Sequence, residues 1–128
     1  MAGVVWIPWY ATVLRQDLLA EAVSEIARLV LRYGATQYSV HRARDDRYKI
    51  FQMAWFEDSH DWYRYWDGPE MIEFRRRHSG HYQVPVTYVW YDELVTGALG
   101  PEVPVPPAPA PDPSHRPPRS FHTAPANG

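Results

Sequence analysis

The segment Tyr48–Phe56, YKIFQMAWF, constrains the fold more than any other part of the chain. Its aromatic and β-branched residues favour a strand. Side chains alternate across a strand, so Tyr48, Ile50, Gln52, Ala54 and Phe56 point one way and Lys49, Phe51, Met53 and Trp55 the other. Both sets are largely apolar, so both faces must be covered. Thr36–Arg44 reads as the preceding strand, and Asp45-Asp46-Arg47 as the polar turn of an antiparallel hairpin.

The flanking segments complete a pattern. Val4–Ala11 (VVWIPWYA) reads as a strand. Pro8 cannot donate to a ladder, so this strand is expected at a sheet edge or bulged at the proline. Asp17–Tyr33 carries Leu19, Ala22, Val23, Ile26, Val30 and Tyr33 at helical spacing. Asp17 is its expected cap, Arg28 and Arg32 suit its negative end, and Gly34 takes the left-handed turn that follows. Ser59–Arg77 is a second helix, capped by Asp58 or Ser59 and broken at Asp67-Gly68-Pro69, with a new segment starting at the proline. His78-Ser79-Gly80-His81 is a loop, and Val86–Val95 the last strand.

The order is β-α-β-β-α-β. It predicts an α+β, ferredoxin-like fold: a four-stranded antiparallel sheet with two helices on one face. Two helices leave the other face bare. That would expose more apolar surface than the few hundred Å² a monomer usually shows, so a homodimer with the two sheets facing is expected.

All but one of the 4 Phe, 9 Tyr and 6 Trp fall between Trp6 and Tyr91. Of the 13 prolines, most lie beyond Gly100. The expected organisation is therefore a domain over 1–97 and a proline-rich, disordered tail over 98–128. The net charge of −2 shows no basic excess for nucleic-acid binding. No apolar run reaches the ~18–20 residues of a membrane span, and no basic-then-apolar leader opens the chain. With no cysteine there is no disulfide, thiolate nucleophile or Cys-based metal site. A cytoplasmic protein is the expectation.

Residues Tyr48–Gly80 resemble the dimeric α/β-barrel superfamily, and within it the antibiotic biosynthesis monooxygenase-like group. The resembling features are a strand ending in Trp55-Phe56-Glu57-Asp58-Ser59, a helix with Trp62 and Trp66, and an amphipathic stretch after Gly68-Pro69 that ends in a histidine loop. The resemblance implies a dimeric barrel. That superfamily includes cofactor-independent oxygenases of polycyclic aromatic substrates, heme-degrading enzymes and many members with no established activity. The heme-degrading branch uses an asparagine on the first strand, a tryptophan on the second helix and a histidine near that helix's end. Trp66 or Trp62 matches the tryptophan and His78 the histidine. Pro8 stands near the asparagine's place, and the chain's one asparagine is Asn127.

Trp62 and Trp66 lie four apart on one helix face. With Trp55 and Phe74 they either wall a pocket for a flat aromatic ligand or simply fill the core. His78, in line with Met71 and Phe74, is the first candidate for proton transfer, or else a solvated helix-end histidine. His41 and Gln52 sit on neighbouring hairpin strands; facing the pocket, they would hydrogen-bond a phenol or its anion, with His41 the second candidate for the catalytic proton, and facing solvent they would do nothing. His78 and His81 are three apart, but no carboxylate completes a metal set, so no metal site is expected. Arg75-Arg76-Arg77 and the Glu57, Asp58, Asp61 group read as solvated helix ends. The expected function is an oxygenase-like protein with no cofactor, acting on an aromatic small molecule. Heme binding through His78 and a non-catalytic dimeric binding module are the alternatives.

Overall fold

The hairpin forms where alternation places it. In the computed structural model, which describes residues 2–100 and 106–110, β2 (Ala35–Arg42) pairs antiparallel with β3 (Lys49–Phe56). Ile50, Gln52, Ala54 and Phe56 are buried, while Lys49, Phe51, Met53 and Trp55 lie half-buried on the opposite face. β1 (Gly3–Tyr10) lies on the other side of β3, and β4 (Val89–Asp92) pairs with β1, giving the order β2-β3-β1-β4. This is the ferredoxin-like α+β sheet the element order predicts.

β1 is therefore an inner strand and not an edge. Pro8 is tolerated because β4 pairs only with Gly3–Trp6. Ala11 N donates to Tyr48 O on the β3 side, and Tyr10 O accepts from Gln83 N on the other. By alternation, the nitrogen of Pro8 faces away from β3, where β4 has already ended. β4 is itself shorter than the expected Val86–Val95. Val86 and Tyr88 turn onto the core instead of pairing.

The first helix, α1 (Gln16–Arg28), begins one residue early. Arg15 is its cap residue, with no side-chain bond, so Asp17 stands in the first turn rather than capping it. There it pairs with Arg42 and Arg47. α1 tightens into a 3-10 turn (Leu29–Tyr33) that ends at Gly34, left-handed at φ 99°. The second helical stretch is split as expected into α2 (Ser59–Trp66) and α3 (Pro69–Arg77). Asp58 caps α2 by accepting from His60 N at 2.9 Å.

The helices cover the face of the sheet bearing Val5, Ile7, Trp9, Ile50, Ala54 and Phe56, and these join Leu19, Val23, Trp62, Tyr65 and Met71 in one core. Trp6, Tyr10, Phe51, Met53, Trp55 and Tyr91 line the opposite face. Residues through Leu94 form one compact unit, and the second starts at Val95. Of the expected tail, Pro106–Ala110 is exposed without regular structure. The rest of that expectation falls largely outside the described residues.

Candidate functional site

Two of the candidate residues face the wrong way for a pocket beneath the helices. His41 pairs with Phe51 in the register of β2 and β3, so it shares the outward face; there it contacts Ser39 Oγ at 2.9 Å. Gln52 lies one residue further along β3 and points inward. The pair cannot meet one ligand. Trp55, opposite Gln37, is likewise outward and belongs to the bare sheet face.

Gln52 is fully buried and engaged at both ends. Trp9 Nε1 donates to its Oε1 at 3.0 Å, and its Nε2 donates to Tyr65 Oη at 3.1 Å. Tyr65 in turn donates to Ile26 O at 2.9 Å, a carbonyl in the last turn of α1. Burial raises the Tyr65 hydroxyl well above its ordinary pKa, so it stays a donor. The sequence reading missed Trp9 and Tyr65.

The tryptophans pack against the chain's own rings. Trp62 stacks on Trp66 with centroids 5.2 Å apart, and both rest on Tyr88. Trp9 meets Trp66, Phe74 and Tyr82. The Arg75 guanidinium lies 4.5 Å above the Trp66 ring, a cation–π contact. Trp62 Nε1 and Arg75 Nη1 are buried donors with no acceptor among the described residues.

A groove of about 570 Å³ runs between α1 and α3. Ala22, Ile26, Leu29 and Phe74 give it apolar walls, and His78 sits on its rim with Glu25 and Arg77. Trp62, Trp66 and Gln52 do not reach it. Glu70, also on the rim, accepts from the Tyr33 hydroxyl, which holds its carboxyl below the usual range. His78 packs on Phe74 at 4.8 Å. Its Nδ1 lies 3.2 Å from His81 Nδ1. Burial, then the charges of His81 and Arg77, push its imidazole below the usual pKa. Of the expected site residues, the groove thus gathers His78 and Phe74 only.

Among the described residues, no three His, Asp or Glu side chains are grouped to hold a metal ion, and no helix is long and apolar enough to cross a membrane.

No protein-family model matches the chain, and no curated protein matches it. Solved structures do match. Rv0793 from Mycobacterium tuberculosis superposes with a TM-score of 0.67 at 10% identity, over 77% of this chain and 100% of that one. An antibiotic biosynthesis monooxygenase superposes at 0.63 and 11% identity, over 74% and 100%. A mutant of SnoaB, a cofactor-independent oxygenase from Streptomyces nogalater, does so at 0.62 and 11% identity, over 74% and 95%. The chain thus shares the ferredoxin-like fold of these proteins, as the resemblance of Tyr48–Gly80 implies.

The residues do not fit a heme. On β1, the inward positions beside Pro8 are Ile7 and Trp9, neither an iron ligand. The Trp9 ring packs against both Trp66 and Phe74. The chain of ring contacts from Trp66 to His78 runs through Trp9 and Phe74, so the tryptophan and the histidine do not face one chamber.

Proposed function

We propose that this protein is a monooxygenase-like enzyme that takes an electron-rich aromatic molecule into the α1–α3 groove. Phe74 and Ile26 are the walls against which the ring lies, and His78 is the proton acceptor. The observation that carries this reading is the place of His78: it is half-buried on the groove's rim, with its imidazole held toward the neutral form. A neutral imidazole takes a phenolic proton near pH 7, and the groove supplies orientation. The phenolate then reduces O₂ itself: one oxygen atom enters the ring as a carbonyl, and the other leaves as water with two hydrogens. The likeness to SnoaB supports the reading, because it shows the same fold carrying a cofactor-independent oxygenase. Hydroxylated polycyclic aromatics should quench tryptophan fluorescence through Trp9, which packs on Phe74, and should start oxygen uptake. His78→Gln should abolish uptake and leave binding. No binding across such a panel, or uptake unchanged in His78→Gln, rejects the proposal.

A second reading is favoured by the two buried donors beside Trp66. An oxygen acceptor on a ligand lying against that ring would give such a donor, Trp62 Nε1 or Arg75 Nη1, its missing partner. Phe74→Ala should weaken binding in the groove reading, and Trp66→Ala in this one.

We also propose a homodimer through the outward sheet face. Trp6, Tyr10, Val89 and Tyr91 are each between 37% and 44% exposed there, and a second copy of the same sheet matches this face in size and character.

A further inference from the structure

We propose that His81 is a positioning residue that makes His78 a proton acceptor by fixing its tautomer. The proposal rests on the reading of His78 as the base. It concerns a residue that does not line the groove.

The argument starts from hydrogen-bond inventory. Two imidazole Nδ1 atoms 3.2 Å apart can bond only if one carries a proton and the other a lone pair. Two bare nitrogens would face lone pair to lone pair, and two protonated ones hydrogen to hydrogen. A neutral pair therefore has one ring with Nδ1–H and a bare Nε2, and one with the reverse. Only the ring that donates in this contact keeps a free Nε2 lone pair. We give that role to His78, the one of the two that lines the groove. Its Nδ1–H is given to His81, and its Nε2 is left bare for a substrate hydroxyl.

The contact is held by backbone. His81 N donates to His78 O at 2.8 Å, and Thr12 N donates to His81 O at 3.0 Å. Thr12 Oγ1 donates to Gly80 O at 2.8 Å. Gly80 takes the left-handed turn at φ 89°, and Ala11 and Tyr82 form a β-bridge just beyond. The loop is thus stapled to the end of β1, which aims the His81 ring at His78 in advance of any ligand.

The charges around His78 agree. Glu21 and Glu25 approach from α1, and Glu73 and Arg77 from α3. Glu73 is engaged by Arg76 and Arg77.

The tautomers can be read directly, without substrate, from long-range ¹H–¹⁵N correlation spectra of the full-length protein. At pH above the His78 transition, we expect His78 protonated at Nδ1 and bare at Nε2, and His81 the reverse. His81→Ala should shift His78 toward Nε2–H. His81→Gln, whose amide oxygen accepts a hydrogen bond, should restore Nδ1–H. A wild-type spectrum with His78 bare at Nδ1 overturns the proposal, as does a His81→Ala spectrum with the His78 tautomer unchanged. Should His81→Ala misfold, as seen at the Thr12 and Gly80 amides, the wild-type and His81→Gln spectra decide. If the tautomers are as expected but His78→Gln leaves oxygen uptake intact, the catalytic reading fails and the positioning stands.

Discussion

Gln52 shows how much one side chain can hold together. It joins β1, β3, α2 and the end of α1 through Trp9, Tyr65 and Ile26 O. Gln52→Leu keeps the volume and removes both polar ends, leaving Trp9 Nε1 and Tyr65 Oη each short of a partner. An unsatisfied buried group costs about 1–3 kcal/mol, so the urea midpoint should fall by a corresponding amount with unchanged slope. At His78 the sign of the pH effect follows from burial. Its folded pKa lies below the ordinary 6.5, so below that pH the unfolded chain binds more protons and stability drops as the pH is lowered. Above about 6.5 the effect is gone. Thermal melts across this window should flatten in His78→Gln. Alternation grouped Gln52 with Ile50, Ala54 and Phe56, but which face is inward came only with the packed helices. Its bonding partners lie 13 and 43 residues away in sequence, and no spacing rule joins them. The same alternation puts His41 outward once its register opposite Phe51 is known, but register is a property of two strands and not of either alone.

At the scale of elements, the turn residues were the most legible. Gly34, the Gly68-Pro69 break and the Asp58 cap all sit where their chemistry requires. Gly34 also has no room for a side chain: a β-carbon there would stand 2.6 Å from Asp61 Oδ2 on α2, at a φ of +99°. Gly34→Ala should cost about 1–3 kcal/mol, measurable by chemical denaturation, with α2 spectra disturbed near Asp61. The start of α1 was less legible. Leu14, at φ 66°, turns the chain so that Arg15 N bonds Thr12 O and the helix begins before Asp17. A leucine in that conformation carries no local signal. The aromatic cluster was seen only in part. Trp62 and Trp66 declare themselves by spacing, but Trp9, Tyr82 and Tyr88 join them through tertiary contact, turning an expected cavity wall into a packed interior.

The whole molecule presents an imbalance. Three helices cover one face of the sheet, and the other bears Trp6, Phe51, Trp55 and Tyr91. The element order alone made that face legible, because two helical stretches cannot wrap a four-stranded sheet. Trp6 lies near its centre, against Phe51 and Tyr91. Light scattering should report a two-copy particle at micromolar concentration, and Trp6→Glu a single-copy one that retains its far-ultraviolet dichroism. A wild-type particle of one copy would remove the dimer.

The early end of β4 has one more effect. Between Trp6, where β4 stops, and Tyr10, whose carbonyl accepts from Gln83 N, the first strand has a short stretch around Pro8 with no ladder partner on that side. Such stretches recruit stray strands into aggregates. Pro8 denies a newcomer the amide hydrogen it would need there, and its ring intrudes on the seat. Pro8→Val would restore that hydrogen, so the variant should clump on warming, with thioflavin signal rising at temperatures the parent tolerates. One imino acid in the middle of the sheet thus acts as a sentry over a gap that its neighbouring strand is too short to close.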